Sequence, residues 1–236
     1  MTLRKLRDAL IVMGAFLVVL WALQVVNWAD GYRLDTEFGI LPEHVSRLPE
    51  IFTAPLLHFS WQHIEGNSVP LFVLGVLAAY RSIPRFLLAS LIIAVTSGMA
   101  VWLFQSSNEL TVGASGLIFG YFGYVVVRGF VDRNLIDIGV GLVAGVLYWT
   151  ILEVAIPGTP GVSWIGHVGG LVGGILAAWV LRTPAAQRRP LLPGRPARRP
   201  QPASGPAGGR TPSVDDLLRD LKKQQGMANS QDQKKR

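Results

Sequence analysis

The 236-residue sequence contains no cysteine, only four histidines and few charged residues. Without cysteine, the chain has neither a disulfide framework nor a thiol nucleophile. Charged residues make up 16% of the sequence and hydrophobic residues 50%, which is too apolar for an ordinary soluble domain. The composition therefore indicates a membrane protein.

Positive charge is concentrated at the C-terminal end of the chain. Residues 183–236 contain 12 Lys or Arg and 4 Asp or Glu, which gives a net charge of +8. Residues 1–182 contain 10 Lys or Arg and 11 Asp or Glu, which gives a net charge of −1. The net charge of +7 therefore describes a tail and not a nucleic-acid-binding surface. We expect no nucleic acid partner.

Six apolar segments are long enough to cross a hydrocarbon core of roughly 30 Å, which requires about 20 helical residues. They are residues 9–28, 62–80, 86–105, 114–131, 135–155 and 164–182. We predict an all-α, polytopic membrane protein with a six-transmembrane-helix bundle over residues 9–182, preceded by a cytoplasmic N-terminus at 1–8. The first apolar run lacks a small-residue cleavage pattern, so no cleavable signal is expected.

The basic residues favour one orientation of these segments. Only Arg33 and Arg47 fall in the three connections 29–61, 106–113 and 156–163. The other basic residues precede the first segment, occupy the loops after the second and fourth, or follow the sixth. Because basic residues are enriched on the cytoplasmic side, both termini are predicted to be cytoplasmic in a cell membrane.

Four polar residues start the second, fourth and sixth segments, which all run inward from the outer face. They are His63, Asn67, Ser115 and His167. The common direction predicts that all four lie at one depth near the outer surface, and polar groups inside membrane segments are functional candidates by default. A serine beside a histidine is a nucleophile beside a base, so this layer predicts serine-hydrolase chemistry.

Rows of glycine follow two of these polar residues. The fourth segment carries Gly116, Gly120 and Gly123, and the sixth carries Gly166, Gly169, Gly170, Gly173 and Gly174. Small residues at helical spacing let two membrane helices approach closely. We therefore predict backbone-to-backbone packing of the two segments, with Ser115 within reach of His167. The alternative is that the glycines are packing stripes unrelated to catalysis.

The remaining polar residues have simpler interpretations. No His-Glu-x-x-His run is present, so no metal and no cofactor is expected. His58 and His63, taken singly, are equally well read as interface histidines beside Trp61. The other intramembrane serines are predicted to hydrogen-bond to their own helices. They are Ser68, Ser82, Ser90 and Ser97.

Over residues 9–182 the chain resembles the rhomboid family of intramembrane serine proteases. The spacing of His58, His63 and Asn67 matches a family motif, as does Gly113-Ala114-Ser115-Gly116. The third matching motif is His167 followed by Gly170 and Gly174. Three motifs in order on a six-segment chain are specific, whereas a lone Gly-x-Ser-Gly would be weak.

The resemblance implies an intramembrane endopeptidase in which Ser115 is the nucleophile and His167 the general base. It implies that His63 and Asn67 bind the oxyanion together with the backbone N–H of Ser115. His58 and the motif glycines Gly113, Gly116, Gly170 and Gly174 would support this site. The family cleaves peptide bonds in or near transmembrane segments of other membrane proteins, so such proteins are the expected substrates.

Two positions depart from the family pattern. A tyrosine often stacks on the catalytic histidine in the family, whereas Phe119 stands there in this chain. Many relatives carry a Trp-Arg pair in the first outer loop, and residues 29–61 contain none, which leaves Arg33 or Arg47 to anchor this loop. The apolar content of the loop predicts short helices beside the first segment, at the outer interface.

The tail is predicted to have two parts. Residues 183–212 contain eight prolines and several arginines, which predicts a disordered linker. Residues 213–236 form a basic cytoplasmic end with a short amphipathic helix at 213–225, capped by Ser213. This end either contacts anionic lipid or a protein partner, or it is solvated.

Two other functions compete with the protease. The first is a catalytically inactive rhomboid-like protein that binds client helices, and the complete set of Ser115, His167, His63 and Asn67 argues against it. The second is a small-solute transporter or channel. Against that function, the polar residues cluster at one depth and do not form a pathway.

Overall fold

A computed structural model of the chain describes residues 3–106, 108–150, 162–183 and 213–232. Within these ranges the chain forms α-helices, two 3₁₀ segments and no strand, so the all-α prediction is confirmed. The helices are α1 Leu3–Ala29, α2 Arg33–Phe38, α3 Trp61–Ala79, α4 Ile83–Phe104, α5 Ser115–Asp132, α6 Leu135–Leu147, α7 Trp164–Val180 and α8 Val214–Asp232. The 3₁₀ segments are Val45–Ile51 and Ala54–Leu56.

Helix α1 begins six residues before the predicted start of the first segment. Arg4 and Asp8, one turn apart, form an ion pair of 4.0 Å that favours helix over this stretch. Residues 3–8, predicted as a separate N-terminus, are therefore helical. By length and composition, α1 and α4 are each able to cross a membrane, whereas α6 and α7 are apolar but only 13 and 17 residues long.

The fifth predicted segment, 135–155, is helical over a shorter range than expected. Helix α6 ends at Leu147, because Tyr148 leaves the helical region with φ −116° and ψ 18°. Three glycines in α6 weaken the helix by about 1 kcal/mol each relative to alanine, which favours an early end. Residues 151–155 lie outside the described residues.

Helix α5 is the central element of the bundle formed by α1 to α7. It packs against α3, α4, α6 and α7, while α7 also packs along α4. Helix α1 packs on α3, where Met13 fills the space beside Gly75 and the Trp21 indole N–H donates to the Ser68 hydroxyl at 3.1 Å. The residue that begins α5 is Ser115, so this serine is held by the most enclosed helix.

The outer loop contains the predicted short helices but packs differently from the prediction. Helix α2 packs on α1, whereas the first 3₁₀ segment lies against α4, where Ile51 covers Gly98, and the second lies against α5. The apolar loop residues Ile40 and Leu57 bury themselves with Val101 of α4 instead. The expected position beside the first segment therefore holds for α2 and is wrong for the two 3₁₀ segments.

Arg47 anchors the outer loop. Its guanidinium donates to the carbonyl oxygens of Thr36 at 2.8 Å and Gly39 at 3.0 Å, and it pairs with Glu50 at 2.7 Å. Arg33 lies on the surface with Asp30 and Glu37. Of the two arginines considered from sequence, Arg47 therefore ties the loop together.

Buried charges join the helices at the end of the bundle opposite Ser115. Asp132, at the end of α5, lies 3.5 Å from Arg81 and 3.6 Å from Arg128. It also accepts hydrogen bonds from the Thr183 backbone N–H at 2.7 Å and the Thr183 hydroxyl at 2.9 Å. Asp137 of α6 pairs with Arg81. These contacts connect α3, α5 and α6 with the segment that follows α7.

Helix α8 belongs to a separate compact unit. It is longer than the predicted 213–225 and begins with reciprocal capping, since Asp216 N–H donates to Ser213 Oγ at 3.4 Å and Ser213 N–H donates to the Asp216 carboxylate at 3.2 Å. Its apolar side chains are at least half exposed. They are Val214, Leu217, Leu218 and Leu221.

Candidate active site

Ser115 and His167 lie at the starts of two adjacent helices. Ser115 is the first residue of α5, and His167 lies in the first turn of α7, which Ser163 caps by accepting from the Gly166 N–H at 3.2 Å. The Nε2 atom of His167 is 2.9 Å from Oγ of Ser115, and the imidazole is almost fully buried. Two residues separated by 52 positions in sequence therefore meet in hydrogen-bonding geometry.

Phe119 lies one turn after Ser115 and fixes the orientation of the imidazole. Its ring centroid is 4.2 Å from that of His167, and the two ring planes differ by 11°. Such a parallel stack restricts rotation of the histidine about its side-chain bonds. The stacking expected from sequence is present with phenylalanine in place of tyrosine.

Glycines bring the backbones of α5 and α7 into contact. A Cβ atom on Gly170 would collide with the carbonyl oxygen of Gly116, and one on Gly174 would collide with that of Gly120. The predicted backbone-to-backbone packing is thus confirmed. The second glycine row of α7 faces α4 instead, since a Cβ on Gly169 would lie 2.9 Å from the Thr96 carbonyl oxygen.

Ser97 of α4 is a member of the site that the sequence did not reveal. Its hydroxyl donates to the carbonyl oxygen of Gly166 at 2.8 Å, directly before His167. A Cβ on Gly116, directly after Ser115, would collide with the Ser97 Oγ. The prediction that Ser97 bonds to its own helix is wrong, whereas Ser68 and Ser90 do so at 2.7 and 2.8 Å.

The backbone before Ser115 is held by the outer loop and by His58. Gly113 has φ +128°, a conformation that favours glycine, and its N–H donates to the Ala54 carbonyl oxygen at 2.9 Å. The next N–H, of Ala114, donates to Nε2 of the fully buried His58 at 3.4 Å. Burial, followed by the neighbouring His63, lowers the pKa of His58 to about 3. His58 is therefore neutral and able to accept this hydrogen bond.

His63 and Asn67 lie on one face of α3, close to Gly113. A Cβ on Gly113 would lie 2.8 Å from Nε2 of His63 and 3.8 Å from Nδ2 of Asn67. The Asn67 Nδ2 atom is buried and has no hydrogen-bond partner among the described residues. Two side chains with donor groups thus surround the backbone next to Ser115.

A cleft opens beside Ser115. It encloses about 400 Å³ of empty space, part of which is open to the surroundings. Its walls come from the outer loop, α4, the start of α5 and the start of α7, with Ile51, Ser97 and Val101 facing Ser115 and Ser163. The cleft is mostly apolar, and Ser115 is one of the residues that line it.

Comparisons with known proteins agree with this architecture. Residues 45–184, more than half of the chain, match the family model described as Rhomboid domain. An uncharacterized protein of Mycobacterium tuberculosis (strain ATCC 25618 / H37Rv) is 37% identical over 184 residues, which cover 75% of this chain and 76% of that protein. Rhomboid protease GluP of Bacillus subtilis (strain 168) is 31% identical over 140 residues, which cover 58% of this chain and 26% of that protein. Rhomboid-like protein 11, chloroplastic, of Arabidopsis thaliana is 27% identical over 145 residues, which cover 56% of this chain and 52% of that protein.

Proposed function

Because the chain belongs to the rhomboid family, we propose that it is an intramembrane serine endopeptidase that uses Ser115 as nucleophile and His167 as general base. The observation that supports this proposal is the 2.9 Å separation of His167 Nε2 and Ser115 Oγ inside a buried, aromatic-stacked environment. A serine hydroxyl is a weak nucleophile until such a base takes its proton.

In the first step, Oγ of Ser115 attacks the carbonyl carbon of the scissile peptide bond while its proton moves to Nε2 of His167. The resulting tetrahedral intermediate collapses when the imidazolium returns this proton to the leaving amine, and the C–N bond breaks. Water then attacks the acyl-enzyme while His167 takes one of its protons. The second tetrahedral intermediate collapses when the imidazolium returns this proton to Oγ of Ser115, the C–Oγ bond breaks and the carboxylic acid product is released. The Phe119 stack keeps the imidazole in one orientation for all four proton transfers.

The oxyanion requires donors that are already in position. Ser115 is the first residue of α5, so its backbone N–H has no acceptor within the helix. Asn67 Nδ2 lacks another partner among the described residues, which leaves this amide N–H for the substrate oxygen. We assign His63 as a third donor, since its Nε2 would lie 2.8 Å from a Cβ on Gly113.

We propose that the substrates are transmembrane proteins that reach Ser115 from the side. Helix α6 packs against α5 and has few contacts with any other described helix, so we place substrate entry on its side of the bundle. The positive-inside pattern supports cytoplasmic termini and a site near the outer face of a cell membrane. Water would then reach the acyl-enzyme without crossing lipid.

The decisive experiment is labelling with a fluorophosphonate probe in liposomes. Wild type should be labelled, and both Ser115→Ala and His167→Ala should lose the label, because the first removes the nucleophile and the second its base. Ser90→Ala is the matched control, since Ser90 lies on α4 bonded to Phe86 and Tyr121 and should leave labelling unchanged.

Each contrary outcome has a defined meaning. Labelling that persists in Ser115→Ala would show that another serine is the nucleophile. Folded wild type that is never labelled would favour a client-binding protein without catalysis. Cleavage of a co-reconstituted transmembrane substrate by wild type, and not by Ser115→Ala, would then establish the peptidase reaction.

A further inference from the structure

Three buried polar side chains meet where α1 joins α2, and none of them lines the cleft beside Ser115. Gln24 and Asn27 of α1 are 1% and 0% exposed, and Asp35 of α2 is 1% exposed. Gln24 and Asn27 are three residues apart and share one helix face. The chain reverses at Tyr32, whose N–H donates to the Asn27 carbonyl oxygen at 2.7 Å, and this reversal brings α2 back to the end of α1.

The polar atoms of this cluster are not satisfied by well-formed hydrogen bonds. Both polar atoms of each of the three side chains, Gln24, Asn27 and Asp35, are buried and make no hydrogen bond of good geometry among the described residues, although the Asn27 side chain lies close enough to act on the Asp35 carboxyl. A neutral group left unsatisfied costs about 1–3 kcal/mol, and a buried carboxylate without a counter-charge costs more. An ionised Asp35 is therefore an unfavourable state of this fold.

The charged groups on the adjoining elements do not compensate a negative charge on Asp35. Arg33 of α2 pairs with Asp30 at 3.9 Å and with Glu37 at 3.4 Å. Arg47, on the first 3₁₀ segment, pairs with Glu50 at 2.7 Å. Each neighbouring arginine is thus already engaged by another carboxylate.

Burial raises the pKa of Asp35, and the Asn27 side chain only partly opposes this shift. No charged group contributes to it. The nearby buried histidine of the outer loop, His58, responds to His63 and not to Asp35. Burial and the lack of a charged partner thus favour the protonated form of Asp35, and so do the unsatisfied hydrogen-bonding groups around it.

We propose that Asp35 is a proton-binding site which, together with Asn27 and Gln24, links the attachment of the outer loop on α1 to the acidity of the surrounding water. The protonated carboxyl donates its O–H to an amide oxygen of Asn27 or Gln24, and an amide N–H donates to its carbonyl oxygen. One proton taken from water removes the buried charge and satisfies atoms on both helices.

The outer loop carries this effect to the segment before Ser115. Ile40, just after α2, exchanges backbone hydrogen bonds with Thr111 at 2.9 and 3.0 Å. Further along the loop, the Ala54 carbonyl accepts from Gly113 at 2.9 Å. Loss of the proton from Asp35 weakens the attachment of α2 and therefore the support of the 111–113 backbone.

Thermal unfolding of the full chain in detergent tests the proposal across about pH 4 to about pH 8. Because folded Asp35 holds its proton to higher pH than unfolded Asp35, the contribution of Asp35 to stability falls as pH rises from the ordinary Asp value of 3.8 through the raised value. The comparison of variants with wild type at each pH isolates this contribution. Asp35→Asn keeps the shape without the charge. The Tm of Asp35→Asn should equal that of wild type near pH 4 and be higher than that of wild type near pH 8.

Glu37→Gln is the matched control, because Glu37 lies on the same short helix with its side chain about half exposed. It should follow the wild-type pH dependence. A lower Tm for Asp35→Asn than for wild type near pH 8 would overturn the proposal, since it would reveal a favourable partner for the carboxylate. A difference between the two proteins that is constant with pH would overturn it equally.

Infrared spectroscopy gives a readout that does not depend on unfolding or on proteolysis. At mildly acidic pH, wild type and Glu37→Gln should show the C=O stretch of a buried protonated carboxyl, and Asp35→Asn should lack it. A wild-type spectrum without this band would show that Asp35 is ionised and would contradict the proposal.

Discussion

The ring of Phe119 lies parallel to the imidazole of His167, with the ring centroids 4.2 Å apart. Both the stack and the hydrogen bond to Ser115 involve one histidine, so the orientation of the imidazole and its distance to the Ser115 hydroxyl are set together.

Replacing Phe119 by leucine should lower the rate at which Ser115 reacts with a fluorophosphonate probe while the protein stays folded. Loss of the stack lets the imidazole turn away from Oγ, and small misplacements of a catalytic group cost up to about 10²-fold in rate. The rate of fluorophosphonate labelling measures this effect. Phe119→Tyr, which keeps the ring, should label at close to the wild-type rate, and an equal loss in both variants would contradict an orienting role for the ring.

Gly170→Ala should separate α5 from α7. The added Cβ collides with the Gly116 carbonyl, which is a backbone group and cannot rotate away. We therefore expect the free energy of unfolding to fall by about 1–3 kcal/mol and probe labelling of Ser115 to fall strongly. Thermal unfolding and probe labelling measure the two effects. Gly139→Ala on α6 is the control, because a Cβ there meets no atom within 4 Å. Unchanged labelling in Gly170→Ala would show that the close contact does not control the Ser115–His167 distance.

Asp132→Asn should destabilise the bundle without altering the reactive pair directly. The substitution leaves Arg128, which is 5% exposed, without its carboxylate, and removing one partner of a buried ion pair costs about 3–5 kcal/mol. Urea or thermal unfolding in mild detergent measures this loss. Asp8→Asn, at an exposed pair on α1, should cost less than about 1 kcal/mol. Similar losses in the two variants would mean that the Asp132 contacts contribute no more than surface pairs.

His58 should make the protein sensitive to acid. Its pKa is about 3 in the folded protein and 6.5 ordinarily, so between these values the unfolded state binds more protons. The contribution of His58 to stability is therefore complete above about pH 6.5 and is lost as pH falls toward 3. His58→Gln, which keeps an acceptor for the Ala114 N–H, should show a smaller loss over this range. Parallel Tm-against-pH curves for the two proteins would count against a buried neutral His58.

Much of the site was predictable because its chemistry follows sequence periodicity. Ser115, His167, His63 and Asn67 each begin a segment of the same direction, and the glycines after Ser115 and His167 repeat at helical spacing. The hydropathy pattern therefore predicted that these four polar residues lie at one depth in the membrane. The glycine rows predicted that the fourth and sixth segments pack against each other. Their catalytic roles stay predictions until the labelling experiment is done.

Contacts that depend on tertiary packing were not predictable. Ser97 lies on the same helix as Ser90, yet its hydroxyl bonds to another helix, because the Gly166 carbonyl lies 2.8 Å from it. Asp35 sits in a polar loop sequence that resembles a solvated surface, and its burial follows only from the reversal at Tyr32. Helix α6 ends early because the backbone of Tyr148 leaves the helical conformation, and the sequence has no proline or glycine at this position that would predict the end.

The glycine contact between α5 and α7 also bears on the order in which the proposed site can form. Ser115 and His167 are 52 residues apart, and the close contacts Gly116–Gly170 and Gly120–Gly174 hold their helices where the two side chains lie 2.9 Å apart. Under the proposed function, a chain in which α7 has not yet packed against α5 carries a serine without its base. The proposed activity would therefore begin only after α7 has joined the bundle.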